Sequence, residues 1–136
     1  MWDCNPVATP LDSNVRLSKL DCPEVVDQLV HSKYRSIVGC LSYLVNMTRQ
    51  DLAFSFSQLS KFLQYPGEAH LAAAYRVLAY VKGTLQGLSW HDPGAGSQNK
   101  LSGWVDSDFA SDIDTRKSVT GYLMVLNGSI NGGPIS

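Results

Sequence analysis

The sequence predicts an α+β fold, in which a three-helix connection is followed by a partial antiparallel β-sheet. Before residue 84, three segments carry apolar side chains at the three- and four-residue spacing of amphipathic helices. Beyond that point the apolar period shortens to two, and Asn127-Gly128 is a strong signal for a tight turn. The predicted organisation is an extended arm with a short helix (1–31), a helical connection (32–86) and an incomplete sheet domain (87–136).

Composition excludes several classes of protein. The 136 residues are 44% hydrophobic and 17% charged, which is typical of a folded globular chain. Asn46, Arg49 and Lys61 interrupt the apolar stretches, which fall short of the roughly 20 apolar residues that a membrane span needs. The first ten residues lack a secretory signal, so we expect an intracellular protein with no membrane partner. The net charge of -1 means that any nucleic-acid role would depend on a local basic patch.

Cysteines and histidines give no sign of a metal or disulfide framework. Cys4, Cys22 and Cys40 form no C-x-x-C pair, and we interpret them as structural thiols. The histidines have no sequence partners that suggest a triad. His70 falls in the first turn of the third predicted helix, where we expect a surface residue.

Prolines and apolar spacing set the expected helix boundaries. Prolines disfavour helix in the arm, although Pro23 could open a short one. The first long helix is predicted over residues 32–47, with Gly39 as a point of close approach to another backbone. A capping box at 48–51 would start the second helix, and the third would run from Glu68 to Gly83, with Gly83 as a left-handed stop.

Short strands are predicted at Gly87–Trp90, Leu101–Val105 and Ser118–Leu126. The last of these has apolar side chains on both alternating faces, as in a strand covered on both sides. The turn at Asn127-Gly128 should return the chain antiparallel, but too few residues remain for a third long strand. We therefore expect an incomplete sheet domain.

The densest polar cluster consists of four aspartates around the end of the second predicted strand. Carboxylates at a rigid strand end suit magnesium, which prefers oxygen ligands in fixed geometry. Aspartates also form turns between hairpin strands, and spacing alone leaves both interpretations open. The four residues are Asp106, Asp108, Asp112 and Asp114.

Five cations on the predicted helices could contact phosphates. A solvated helix surface explains them equally well, because isolated lysines and arginines at this density are common. The five are Arg35, Arg49, Lys61, Arg76 and Lys82.

Several ordered motifs together resemble the Pol polyprotein of copia-type LTR retrotransposons. Three of them, at residues 34–44, 48–53 and 76–84, lie in the helical region, and the segment 3–10 resembles what precedes them in that family. Residues 103–112 and 116–122 resemble the opening hairpin of its ribonuclease H domain. The resemblance implies the end of reverse transcriptase, a helical connection and a truncated ribonuclease H-like fold.

The resemblance also implies a role for two of the aspartates. Asp106 corresponds to the first catalytic, metal-binding aspartate of the nuclease, which uses two Mg²⁺ ions on the RNA strand of an RNA:DNA hybrid. Asp108 is a second metal candidate, with a structural role favoured for it. The parent Pol would also bind template-primer, and the remainder of Pol would be a partner of this segment.

The sequence lacks other residues that the family's activities need. It contains no Tyr-Val-Asp-Asp-like polymerase motif, and the nuclease carboxylates expected after Asp106 would lie beyond Ser136. We therefore expect a fragment of Pol that is inactive alone and does not bind Mg²⁺ stably. The alternatives are a non-catalytic nucleic-acid-binding helical module and the product of a decayed element.

Overall fold

The computed structural model describes residues 4–12, 15–85, 100–107, 112, 114–126 and 129–135, with the backbone alone for the last range. Two short 3-10 turns, Lys19–Asp21 and Gln50–Leu52, accompany three helices and three strands. The helices are α1 (Gln28–Met47), α2 (Ala53–Ser60) and α3 (Glu68–Gly83), and the strands are β1 (Leu101–Ser107), β2 (Thr120–Leu126) and β3 (Ser129–Ile135).

The hydrophobic core lies among the three helices, as their apolar spacing predicts. α1 buries one stripe of its surface, and the buried sides of α2 and α3 close over it. The Tyr34 hydroxyl, which is fully buried, donates a 2.7 Å hydrogen bond to the carbonyl oxygen of Leu59 and so joins α1 to α2. The centre of the core consists of Tyr34, Val38, Leu41, Leu52, Leu59, Ala74 and Val77.

The starts of α1 and α2 differ from the prediction, whereas α3 begins at Glu68 as predicted. Pro23 opens no helix. α1 begins at Gln28, before the predicted start at residue 32, because the Asp27 carboxylate accepts a hydrogen bond from the Leu29 amide and caps the helix. The predicted capping box at 48–51 is wrong, because the chain passes through a 3-10 turn before α2 and Asp51 pairs with Arg49 instead.

Gly39 and Gly83 do not have their predicted roles, and Gly67 makes a closer backbone approach than either. A Cβ added to Gly39 would meet no atom within 4 Å, so this position makes no close approach. Gly83 lies within α3 and does not end it in a left-handed conformation; it faces Pro6 of the arm. At Gly67 a Cβ would lie 2.2 Å from the carbonyl oxygen of Asp21, so only glycine fits there.

The three strands form an antiparallel meander in the order β1-β2-β3. Trp104 pairs with Leu123 and Asp106 with Gly121 across β1 and β2, so the alternation of the two strands is in register. β3 spans seven residues and pairs with β2 along its whole length. The prediction that too few residues remain for a third long strand is therefore wrong.

Apolar side chains stay exposed on both faces of β1 and β2, which corrects the prediction that β2 is covered on both faces. Leu123 and Met124 point to opposite faces and are 39% and 42% exposed, while Trp104 and Val105 on β1 are 59% and 73% exposed. The predicted strand Gly87–Trp90 and the turn at 127–128 lie outside the described residues.

No helix in the described part of the chain combines the length and the apolar character that crossing a membrane requires.

Candidate functional site

Asp106 lies near the end of β1, as the sequence predicts, and its side chain is exposed. The β1–β2 register places it opposite Gly121, on the same sheet face as Trp104. Asp108 lies outside the described residues. Within the described ranges, no group of three or more His, Cys, Asp or Glu side chains could hold a metal ion. The described residues therefore do not by themselves make a magnesium site.

The other two aspartates of the predicted cluster make turn and tether contacts. Asp112 Oδ1 accepts hydrogen bonds from the amides of Asp114 and Thr115, as a turn-forming aspartate does, and its Oδ2 pairs with Lys61 Nζ. The hydrogen bond from Lys61 and that from the Thr115 amide lower the pKa of Asp112 to about 2. Asp112 thus ties the β1–β2 connection to the end of α2.

Asp114 makes a second tether to the helical region. Its Oδ1 accepts a 2.9 Å hydrogen bond from the Ser18 hydroxyl, and its Oδ2 accepts a 3.0 Å bond from the Lys19 amide. These contacts join the β1–β2 connection to the 3-10 turn of the arm.

Arg49 is buried and forms a clamp between the end of α1 and the end of α3. Its Nε and Nη2 donate to the two carboxylate oxygens of Asp51 at 2.9 Å, while Nη1 and Nη2 donate to the carbonyl and hydroxyl oxygens of Thr84. Tyr80 completes the clamp, with its ring 5.6 Å below the guanidinium and its hydroxyl donating to Asp51. Burial would raise the pKa of Asp51, but these hydrogen bonds and the Arg49 charge hold it below its ordinary value. The donors of Arg49 are directed into the protein.

The remaining predicted phosphate ligands have separate surroundings. Arg35 is exposed on α1. Lys61 Nζ bonds to Gln58 as well as to Asp112. On α3, Lys82 donates to the carbonyl oxygen of Cys4, and Arg76 donates to the Thr9 hydroxyl. Three of these cations therefore hold parts of the chain together. The three cysteines, Cys4, Cys22 and Cys40, are free thiols.

A cavity of about 980 Å³ separates the arm from α2 and α3. Its wall is largely apolar, with Phe54 on α2 and Leu11 and Leu17 on the arm. Arg76 also lines it, and the Nε of this residue is the one buried side-chain polar atom without a hydrogen-bond partner among the residues described. Arg16 and the carboxylates of Asp12 and Asp51 share the lining, so the charged groups around the cavity balance.

His70 is fully buried, which corrects the prediction of a surface residue. Its ring stacks on Phe62 with centroids 4.1 Å apart. Nδ1 accepts a 2.9 Å hydrogen bond from the Gly67 amide, so Nε2 carries the proton and faces the carbonyl oxygen of Ser18 at 3.3 Å. Burial lowers the pKa of His70, against the nearby charges of Asp21 and Asp114.

Sequence reasoning missed the structural roles of His70 and Arg49, although part of the signal was present. His70 occupies the third helical position, where a side chain that accepts a hydrogen bond can cap the helix. Arg49 lies two residues before Asp51, close enough for a bidentate pair. Neither pattern identifies the distant partners, Ser18 and Thr84.

Comparisons with known proteins identify the relatives of this chain. The retrovirus-related Pol polyprotein from transposon TNT 1-94 of Nicotiana tabacum is 39% identical over 131 residues, which cover 94% of this chain and 10% of the polyprotein. Pol polyproteins from Arabidopsis thaliana transposons are also similar. The chain thus spans about a tenth of the length of the tobacco polyprotein.

Shorter relatives are covered more fully. A secreted RxLR effector protein of Plasmopara viticola is 42% identical over 96 residues, which cover 70% of this chain and 66% of the effector. An uncharacterized mitochondrial protein of Arabidopsis thaliana is 46% identical over 83 residues, which cover 60% of this chain and 72% of that protein. No family model and no solved structure matches. The chain is a retrotransposon Pol-derived sequence and belongs to the same family as this mitochondrial protein.

Proposed function

We propose that the chain is the segment of a copia-type Pol polyprotein that connects the end of reverse transcriptase to the first strands of ribonuclease H. The parent Pol would copy RNA into DNA and hydrolyse the RNA strand of RNA:DNA hybrids. The observation that supports this most is the order of parts: a well-packed three-helix unit is tethered to an antiparallel meander with Asp106 on its first strand.

In this proposal Asp106 is the carboxylate that the segment contributes to the magnesium site of the nuclease. The described residues bring no group of three or more His, Cys, Asp or Glu side chains together, so in this proposal the chain alone carries out no catalytic step. What the chain does by itself is to position β1: Asp112 and Asp114 hold the β1–β2 connection against Lys61 and Ser18. These tethers fix the strand that bears Asp106 relative to the helices.

The structure favours this connecting role over a free-standing nucleic-acid-binding module. Arg49 is buried with its donors in use, and Lys61, Arg76 and Lys82 each bond within the chain. A module that gripped phosphates with all five cations would lose affinity steeply with salt, with a slope of log K against log salt of about -4.5. We expect weak hybrid binding with a much flatter slope.

A chimera tests the proposal directly. The chain replaces the 131 matching residues of the TNT 1-94 polyprotein, and reverse transcription and hybrid cleavage are measured with Mg²⁺. We expect both activities, and we expect Asp106→Asn to abolish cleavage while polymerisation continues. The matched control is Asp27→Asn, which removes an exposed carboxylate but keeps a good helix cap.

Two outcomes would contradict the proposal. Cleavage that survives Asp106→Asn would show that Asp106 is not a ligand, and equal loss of both activities in the unmutated chimera would show that the segment does not belong at this place in Pol. The isolated chain provides a third check, since we expect it to cleave no hybrid.

A further inference from the structure

A continuous chain of hydrogen bonds runs from the start of α3 to the β1–β2 connection. The Gly67 amide donates to His70 Nδ1, and the opposite ring nitrogen donates to the Ser18 carbonyl oxygen. The Ser18 hydroxyl then donates to Asp114. We call these four residues, Gly67, His70, Ser18 and Asp114, the His70 joint. It links three parts of the chain that are more than 40 residues apart in sequence.

Only neutral imidazole fits this arrangement. Nδ1 must have a free lone pair because the Gly67 amide points at it from 2.9 Å. A proton on Nδ1 would set two donors against each other in a site with no exposed surface, where the ring also stacks on Phe62. Gly67 cannot move away easily, since its Cα lies against the backbone of Asp21.

The charged groups around the ring do not remove this conflict. Asp21 and Asp114 face His70 from the arm and from the β1–β2 connection, and both favour its charged form. Burial outweighs them, so the ring is neutral near pH 7. The carboxylates of Asp21 and Asp114 already accept hydrogen bonds from Ser18, at its amide and its hydroxyl.

We propose that the His70 joint is an acid-sensitive switch, in which protonation of His70 expels the ring, frees the N-terminus of α3 from the Ser18 turn, and loosens the attachment of the β1–β2 connection at Asp114. The ion pair between Lys61 and Asp112 is a separate tether and remains in place, because Asp112 stays ionised to a much lower pH. The switched state therefore loses the Asp114 contacts but keeps the Lys61–Asp112 ion pair and the packing of β3 against α2 and the 3-10 turn Gln50–Leu52.

Acid weakens the His70 joint because folding is linked to the protonation of His70. Because the pKa of His70 is lower in the folded chain than the unfolded value of about 6.5, the unfolded or opened state binds the proton more readily. The joint is fully formed above pH 6.5 and weakens as the pH falls below it. Opening of the joint therefore sets in as the pH falls below the unfolded value of about 6.5.

The test follows two backbone amides of the full chain by NMR between pH 7.5 and 5. We expect the protection of the Gly67 amide against hydrogen exchange to fall at least tenfold, and the amide of Thr115, which follows Asp114 in the β1–β2 connection, to shift with the same midpoint. Amides in the middle of α1, such as that of Val38, should keep their protection.

His70→Gln is the matched variant, because glutamine at the third position of a helix accepts from the capping amide but does not titrate. We expect neither amide to respond to pH in this variant. Constant Gly67 protection down to pH 5 in the unmutated chain, or the same loss in His70→Gln, would overturn the proposal.

Asp114→Ala keeps the test decisive if the glutamine variant does not fold. It removes both carboxylate contacts, with the Ser18 hydroxyl and with the Lys19 amide, while the Gly67 response to pH should remain. A Thr115 signal that still titrates with the Gly67 midpoint in Asp114→Ala would also overturn the proposal, since the joint would then not reach the β1–β2 connection through this carboxylate.

Discussion

Replacing Arg49 by methionine should lower the free energy of unfolding by about 2–3 kcal/mol. Methionine keeps most of the apolar stem but removes two hydrogen bonds to Asp51 and two to Thr84. Hydrogen bonds to charged groups contribute about 1.5–3 kcal/mol each when buried. The side chains of Arg49 and Asp51 are 7% and 29% exposed, so solvent recovers part of the loss on the carboxylate side.

Chemical denaturation of the full chain, followed by far-ultraviolet circular dichroism, measures this loss. Combining Arg49→Met with Asp51→Asn in a double-mutant cycle should give a coupling energy of about 1–2 kcal/mol, because the pair is bidentate and partly buried. Arg49→Lys is the control that retains the charge without the planar fork, and it should recover only part of the stability.

The competing role for Arg49 is contact with a phosphate, and the same variants distinguish it. A phosphate ligand would leave stability within about 0.5 kcal/mol of the unmutated chain, as is usual for surface substitutions, and would weaken hybrid binding. That result would refute the clamp. We expect the opposite pattern, in which stability falls and hybrid binding at equal folded concentration does not change.

Three further predictions concern packing and pH. Gly67→Ala should lower the free energy of unfolding by about 2–3 kcal/mol, because the added Cβ would overlap the carbonyl oxygen of Asp21. Gly39→Ala, in open space within α1, should raise it by about 0.5–1 kcal/mol, and thermal unfolding compares the two variants. Because the pKa of Asp112 is lowered to about 2, its ion pair with Lys61 stabilises the chain above about pH 4, and this stabilisation is lost as the pH falls to 2. Lys61→Met should reduce this pH dependence of the unfolding free energy by about 0.5–1 kcal/mol, measured by urea titrations at each pH. Tyr34→Phe should cost about 1 kcal/mol by the same assay, and no loss would contradict its buried hydrogen bond.

The helices could be predicted because their signals are local. Apolar spacing gives α1 and α3 within a few residues, and the Tyr65-Pro66-Gly67 sequence marks the gap between α2 and α3. The joints between elements could not be predicted in the same way. The partners of His70 and Asp114 lie 52 and 96 residues away at Ser18, and no periodicity connects residues at such separations.

The site was predicted only in part for a related reason. A carboxylate cluster in sequence predicts proximity, and Asp106 does lie on the strand where the pattern places it. Which carboxylates are free for a ligand depends on tertiary contacts: Asp112 and Asp114 are occupied by Lys61 and Ser18. The role of Arg49 also depends on tertiary contacts, because the sequence alone shows only that this residue is a cation.

The contacts between the arm and α3 have a consequence for the order in which the chain folds. Thr9 and Cys4 bind Arg76 and Lys82, partners that lie 67 and 78 residues later. Within this segment the arm leaves the ribosome before α3, so its contacts with Arg76 and Lys82 cannot form until α3 has emerged and packed. Closing loops of this length has an entropic cost, and the hydrogen bonds of the arm offset it only after α3 has packed. The arm should therefore be the last part of the helical unit to pack, and the first to detach under partial unfolding.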